Sequence, residues 1–429
     1  MTIQELKREY KKVFYLEDDG VLDILVATVI STFMKREAVW LLIVGASSGG
    51  KTELINIFTE LAFVYEVDEL TESTFLSGMR AGAGKSASLL DEIGPVGCIA
   101  MKDFTSILTM RQDKRELILG QMRQIYDGKF NKKTGNGENP NWKGKINFIG
   151  GVTDAVYTVG EASADMGRRT INYVLPKQDR QLTASYARRN KKEGNLASKR
   201  EYLQQITTDF VMQKIDEMPL NLPPLKPEVQ RTISLLVDFV TQARTPVKRN
   251  FQGKIVLVDD FEMPMRVDEQ IQVIAEVMNW LYGGLQPEQE ELLYRLCLDS
   301  IPKQRRLTLK TLAGYSYATT VGLATKLNYP TDTARVWLED LNAVEIVRRE
   351  TTGAGVTKWS ILEPYRTYMR KYDNIPHTEF GLVMTEASME DSGGFSDGDL
   401  DPGLLMEMKE NMDERADQIF NSLGNGEEF

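Results

Sequence analysis

Apolar positions along the chain follow two periods, and the switches between them outline its elements. Residues 1–37 carry a helical stripe through Leu22, Ile24, Leu25, Val29 and Phe33, closed by Lys35-Arg36-Glu37. Val39–Val44 is an unbroken apolar run short enough for a buried strand, and Glu53–Ala62 returns to helical spacing. Ala62–Val67 predicts a second strand, Pro95–Asp103 an apolar strand ending in a carboxylate, and Lys145–Thr153 a further buried strand. Phe104–Tyr126 has helical spacing through Phe104, Ile107, Leu108, Leu117, Ile118 and Ile125. Residues 201–285 read as helix, broken at Pro219–Pro224 and at Gly253. From Pro287 the pattern predicts helices over Glu290–Ile301, Leu307–Ala313 and Thr320–Leu327. A turn at Tyr329-Pro330-Thr331 then opens a helix over Asp332–Leu341, and a hairpin pairs Val344–Glu350 with Val356–Ile361. Strands alternating with helices in the first half predict an α/β fold around a parallel sheet.

A chain of 429 residues exceeds one ordinary core, so several domains are expected. No apolar run reaches the length of a membrane span, and the first residues lack the apolar core of a signal peptide. The two cysteines, Cys98 and Cys297, sit in apolar settings and suit a reduced, cytoplasmic protein. With a single histidine, His377, a structural zinc site is not expected. The net charge of −10 is misleading until it is located: Gly381–Phe429 holds 13 acidic and 2 basic residues, which leaves the other 380 at +1. A near-neutral body with basic patches is compatible with a nucleic-acid partner.

The strongest chemical signal is Gly45-Ala46-Ser47-Ser48-Gly49-Gly50-Lys51-Thr52, which meets the phosphate-loop pattern between a predicted strand and a predicted helix. Glycines let backbone N–H groups curl around a phosphate, and the helix start adds its positive end. Lys51 would reach the β- and γ-phosphates of ATP, the Thr52 hydroxyl would hold Mg²⁺, and Glu53 opens the helix. Asp103, at the end of its strand, is the second candidate for the magnesium site. Phe104 follows where a water-activating glutamate would be convenient, which leaves Glu66, Glu69, Glu72 and Glu92 as candidates for the base. Residues 128–145 predict a turn-rich hairpin with Lys129, Lys132, Lys133, Lys143 and Lys145 among Phe130 and Trp142. Basic groups interleaved with aromatics suit a contact along a nucleic-acid backbone; the plainer alternative is a solvated hairpin. Gly167-Arg168-Arg169 precedes a short strand and is a candidate arginine finger, or a pair of surface arginines.

Together, the phosphate loop, the strand ending at Asp103, the basic hairpin, the strand ending at Thr153 and then Arg168-Arg169 resemble AAA+ ATPases. The hairpin before the third strand is similar to the pre-sensor-1 hairpin of the branch holding MCM and viral hexameric helicases. Lys102-Asp103-Phe104-Thr105 and the Tyr126-Asp127-Gly128 before the hairpin also resemble ATPases of phages and mobile elements. The resemblance covers residues 20–180, under half the chain. It implies a P-loop NTPase core in which Thr153 takes the sensor-1 role and Arg168 or Arg169 acts as finger or sensor 2, across a subunit boundary or within one. The absent glutamate after Asp103 departs from the AAA+ pattern.

Residues 177–200 add eight basic side chains against two acids, a solvated face or a DNA-facing one. Helices followed by a hairpin resemble a winged helix, in which Thr333 and Arg335 would face a groove of DNA and Arg348, Arg349 and Lys358 its backbone. The expected organisation is therefore an N-terminal helical segment (1–37), the ATPase core (38–180), a helical lid or connector (181–285), a winged helix (286–375) and an acidic tail (376–429). The tail ends in Gly426-Glu427-Glu428-Phe429, an ending that resembles partner-docking tips of single-strand-binding and some phage replication proteins; the alternative is a tail that only confers solubility. The function expected is an ATP- and Mg²⁺-dependent motor on single-stranded DNA, a helicase or translocase ring of identical subunits without membrane association. The alternative is a nucleotide-switched initiator, loader or regulator that hydrolyses little.

Overall fold

The computed structural model describes residues 1–76, 88–133, 140–158, 168–353, 355–373 and 382. Its centre is a parallel sheet of five strands: β1 (Trp40–Val44), β2 (Val64–Glu66), β3 (Val96–Met101), β6 (Lys145–Val152) and β7 (Ile171–Val174), in the order β2-β3-β6-β1-β7. Between β3 and β6 the chain inserts a two-stranded ribbon, β4 (Lys129–Asn131) and β5 (Asn141–Lys143). β1 and most of β6 are buried along their length, which is why they read as continuous apolar runs.

Alternate residues of β1 feed two cores. Leu41 and Ile43, with Val39 just before the strand, join a large cluster with the N-terminal helices Ile3–Val13 and Gly20–Ile30 and the later helices Leu196–Glu217, Pro227–Ala243 and Met265–Tyr282. Trp40, Leu42 and Val44 join a second cluster with helix Gln112–Tyr126 and the β4–β5 ribbon. Helix Gly20–Ile30 is buried all round, so residues 1–37 form a layer of the core. Buried Asn147 of β6 fixes that layer: its side chain accepts from Val39 N (3.0 Å) and donates to Thr28 O (2.8 Å) and Ser31 Oγ (2.9 Å).

The exposed edge that β7 would offer is closed by side chains. Val174 N–H donates to Asp299 Oδ2 (2.8 Å) and Asn172 N–H to Ser300 Oγ (3.0 Å), both from the end of helix Pro287–Asp299. This is a direct way to blunt an edge strand, and it places that helix with the sheet. Beyond it come helix Lys303–Ala313, β10 (Ala318–Thr319), helices Thr320–Leu327 and Thr331–Ala343, β11 (Val347–Thr351) and β12 (Thr357–Ile361), with strand order β10-β12-β11. The expectation that residues 201–285 are helical needs one correction. Val247–Arg249 (β8) and Ile255–Val258 (β9) form an antiparallel ribbon around Gly253, whose φ of +76° suits a tight reversal. No described helix is long and apolar enough to cross a membrane.

Candidate nucleotide site and basic surfaces

The loop after β1 is fixed before it turns: Gly45 N–H donates to Val152 O of β6 (3.0 Å). It then folds back, with Gly49 N–H on Ala46 O (3.1 Å), a contact so close that a Cβ on Gly49 would lie 2.9 Å from that oxygen. Gly50 has φ +87° and precedes the right-handed helix Lys51–Asn56; such a left-to-right change turns successive N–H groups to one side. Ala46, Ser47, Ser48, Gly50 and Thr52 are exposed and Gly49 half-buried, whereas Lys51 is only 8% exposed. The Lys51 ammonium donates to Gly45 O (2.8 Å) and Ala46 O (2.7 Å), so it is held over the loop by the loop's own carbonyls. Burial lowers its pKa, and Asp103 and Asp154 act in the opposite direction. Glu53 is half-buried and paired with Arg200, whose Nε lies 3.0 Å from Glu53 Oε2.

The ends of the neighbouring strands are laced beside this loop. Phe104 N–H donates to Gly151 O (2.8 Å), and Thr153 N–H to Thr105 Oγ1 (3.0 Å). Asp103 is exposed, with Oδ1 accepting from Thr105 N–H (3.1 Å). The half-buried Thr153 accepts from Ala155 N–H (3.4 Å). Lys51, Asp103 and Thr153 therefore occupy the carboxyl ends of β1, β3 and β6, the end where parallel sheets bind ligands. Asp154 is paired with Lys303, an unexpected tie from this end of the sheet to the C-terminal unit. Only the place of Asp154 directly after Thr153 signalled it in the sequence. Among the base candidates, Glu66 is paired with Lys102 at the end of β2, and Glu69 and Glu72 are exposed beyond it. Glu92 precedes β3 and lies at the opposite end of the sheet.

Arg168 and Arg169 also lie at that opposite end, because they immediately precede β7. Gln270 confirms the placement, donating to Arg169 O (3.0 Å) while accepting from Trp40 N–H (2.9 Å) at the start of β1. Arg169 is buried, bonded to both oxygens of Asp127 (Nη2 at 3.0 and 2.8 Å). Arg168 is half-buried and loosely paired with Asp259 (3.4 Å). Within one chain neither arginine is brought to the Lys51 loop.

The β4–β5 ribbon divides the candidate nucleic-acid contacts. Phe130 and Trp142 face each other across it and are 4% and 6% exposed, and the Trp142 indole donates to Gly94 O (2.7 Å). Trp142 is thus a packing residue. Lys145 is largely buried, with Nζ donating to Ser31 O (2.7 Å) and Met34 O (2.8 Å), and burial lowers its pKa to about 8. Lys132 Nζ donates to Glu72 O and Leu76 O, each at 2.9 Å. These three serve internally, which leaves Lys129, Lys133 and Lys143 exposed, with Lys129 directly opposite Lys143. The turn residues 134–139, residues 159–167 and the acidic tail with Phe429 lie outside the described residues.

In the C-terminal unit, Thr333 is half-buried and Arg335 exposed but paired with Asp332 (3.1 Å). Arg348 lies 3.6 Å from Glu350, Arg349 stacks over Trp359, and Lys358 Nζ sits 3.9 Å from the Tyr317 ring centroid. Helix Thr331–Ala343 also engages the β8–β9 ribbon, since Arg249 bonds Glu339 (3.0 Å) and Asp340 (2.7 Å). No family model matches the chain, and no curated protein matches it.

Proposed function

We propose that this chain is an AAA+-like P-loop ATPase acting on DNA, with residues 45–53 holding the phosphates of ATP. One observation carries the reading. Lys51, on a loop whose glycines admit close approach, shares one end of the sheet with Asp103 and Thr153 and is buried within electrostatic reach of Asp103. The donor set fits the ligand: exchanging the loop carbonyls for phosphate oxygens would give Lys51 a charged partner. Thr52 and Asp103 would hold Mg²⁺, which neutralises charge developing on the phosphates. Thr153 would orient a phosphate oxygen or the attacking water. The position of Arg168 and Arg169 at the far end of the sheet favours a role toward a second copy in a ring of identical subunits, and Arg168, with its loose partner, is the more releasable.

The exposed Lys129, Lys133 and Lys143 supply the grip on single-stranded DNA. Like charges placed opposite each other in a ribbon are unfavourable alone and are relieved by a phosphate between them. The C-terminal unit resembles a winged helix in element order and in its β10-β12-β11 sheet. Its helix Thr331–Ala343 carries three acids against Arg335, so docking against protein suits it better than reading base edges. A second reading, a nucleotide-held switch that loads or regulates a replication complex, is favoured by Phe104. That residue is fully buried where a water-activating glutamate would sit.

The test is ATP turnover with and without single-stranded DNA, for wild type, Lys51→Ala and a Lys129/Lys133/Lys143 triple alanine. A motor requires DNA stimulation that is absent in both variants. ATP binding without DNA-stimulated turnover would select the switch.

A further inference from the structure

Helix Arg180–Glu193 follows β7 and is capped at both ends. Asp179 accepts from Gln181 N–H (2.7 Å) and Leu182 N–H (2.9 Å), and Gly194 closes the helix at φ +68°. One side of the helix is anchored on the N-terminal segment. Buried Asn190 donates to Val13 O (2.9 Å), Arg189 donates to Lys12 O, and the Tyr186 ring lies 5.9 Å from that of Tyr15. The opposite side carries Arg188, Lys191 and Lys192, which are neighbours as an i, i+3, i+4 set. All three are exposed, as are Lys177 and Arg180 before them.

The side chains of these five cations make no hydrogen bond or ion pair with a described residue. Acids of the same helix and of the segment it packs on are engaged elsewhere: Asp179 at the cap, Glu193 with Lys199, Glu9 with Lys12, and Asp19 with Lys7 and Lys11. Like charges at i, i+3 and i+4 oppose helix formation, and a helix whose one buried residue is polar gains little from packing to offset that. An anion with charges repeated at short spacing relieves the repulsion, and a nucleic-acid backbone has that form. No aromatic side chain accompanies the outward set, so bases have nothing to stack on. A duplex keeps its bases enclosed and offers its phosphates. A membrane surface would need apolar insertion, and Leu182 is the one large apolar side chain this helix exposes.

We propose that this face, with Arg188, Lys191 and Lys192 at its centre, binds the phosphate backbone of double-stranded DNA without reading its sequence. The helix leaves from the carboxyl end of β7, whereas the β4–β5 ribbon enters β6 at its amino end, so the two basic surfaces are separate contacts. The inference adds a second surface to a chain read as acting on DNA; it depends on neither the Lys51 loop nor the ribbon lysines.

The test is fluorescence anisotropy of the full chain, without nucleotide, on a labelled duplex over a range of salt concentrations. Arg188→Ala with Lys191→Ala and Lys192→Ala should lower the slope of log affinity against log salt by about 2.7, three phosphate contacts' worth. Arg188→Lys with Lys191→Arg and Lys192→Arg, which keeps the charges, should bind as wild type does. Thermal unfolding should be nearly unchanged in both, since the three side chains are exposed and without described partners. Absence of duplex binding by the full chain, the result for a solvated face or one covered by the acidic tail, overturns the proposal. So does an unchanged slope in the alanine variant, or an equal loss in the variant that keeps the charges. Single-stranded DNA is measured alongside. If the Lys129/Lys133/Lys143 triple alanine loses single-strand binding while the Arg188/Lys191/Lys192 triple alanine keeps wild-type duplex binding, this face alone is refuted.

Discussion

The two isolated ribbons have the same architecture and opposite polarity. In β4–β5 every strand residue alternates, with Phe130 and Trp142 packed inward and Lys129 and Lys143 outward. In β8–β9 most apolar residues face outward: Val256 is 61% exposed, Leu257 49% and Phe251, in the turn, 97%, while Val247 and Val258 pack partly against the core. There charged side chains make the attachment, Arg249 to Glu339 and Asp340, and Asp259, just after β9, to Arg168 (3.4 Å). The first ribbon is held by burial and presents charge, whereas the second is held largely by ion pairs and presents mostly apolar surface. Their stabilities should therefore respond to opposite substitutions.

Truncation breaks the comparison most sharply. Trp142→Ala removes a packed indole and should cost about 3–5 kcal/mol in urea unfolding, while Phe251→Ser should stay within about 0.5 kcal/mol. Equal costs would show that the two ribbons are not held differently. Arg249→Ala should cost about 1–3 kcal/mol, between the limits for exposed and buried pairs, because it removes a cation shared by Glu339 and Asp340 and leaves Asp340 only Arg305 at 3.6 Å. Lys129→Ala with Lys143→Ala should leave unfolding nearly unchanged. It should also lower the slope of log affinity for single-stranded DNA against log salt by about 1.4, two phosphate contacts' worth. An unchanged slope would remove the ribbon from the DNA surface.

The smallest effect concerns Lys145 and pH. Its folded pKa of about 8 lies below the ordinary 10.5, so between those values the unfolded chain binds more protons. Stability from this group therefore rises with pH across that window. Wild type should gain stability relative to Lys145→Met as pH increases from about 8 toward 10.5, measured as the difference in melting temperature. A constant difference would mean that Lys145 titrates normally.

The ribbons also mark what the sequence could reveal. Strands β1, β3 and β6 were legible because burial on both faces leaves continuous apolar runs, and the turn after β1 because its glycines, one at positive φ, stand between an apolar run and a helical pattern. β8–β9 was not, since Ile255-Val256-Leu257-Val258 has no apolar–polar alternation, and of the four only Val258 packs against the core. The lysines around Phe130 and Trp142 were visible as a basic hairpin. Their division was not: Gly144 breaks the alternation, so Lys145 enters β6 and turns inward. Which end of the sheet holds Arg168 and Arg169 depends on β7 running parallel to β1, a tertiary fact.

The central claim is that Lys51 and its loop form the ATP site. Calorimetric titration of ATP with Mg²⁺ into wild type and Lys51→Ala tests it most directly. The account predicts saturable binding by wild type, weakened at least about a hundredfold by loss of the charged contact to phosphate, with unfolding unchanged. Equal binding by both proteins, or none by wild type, would contradict it.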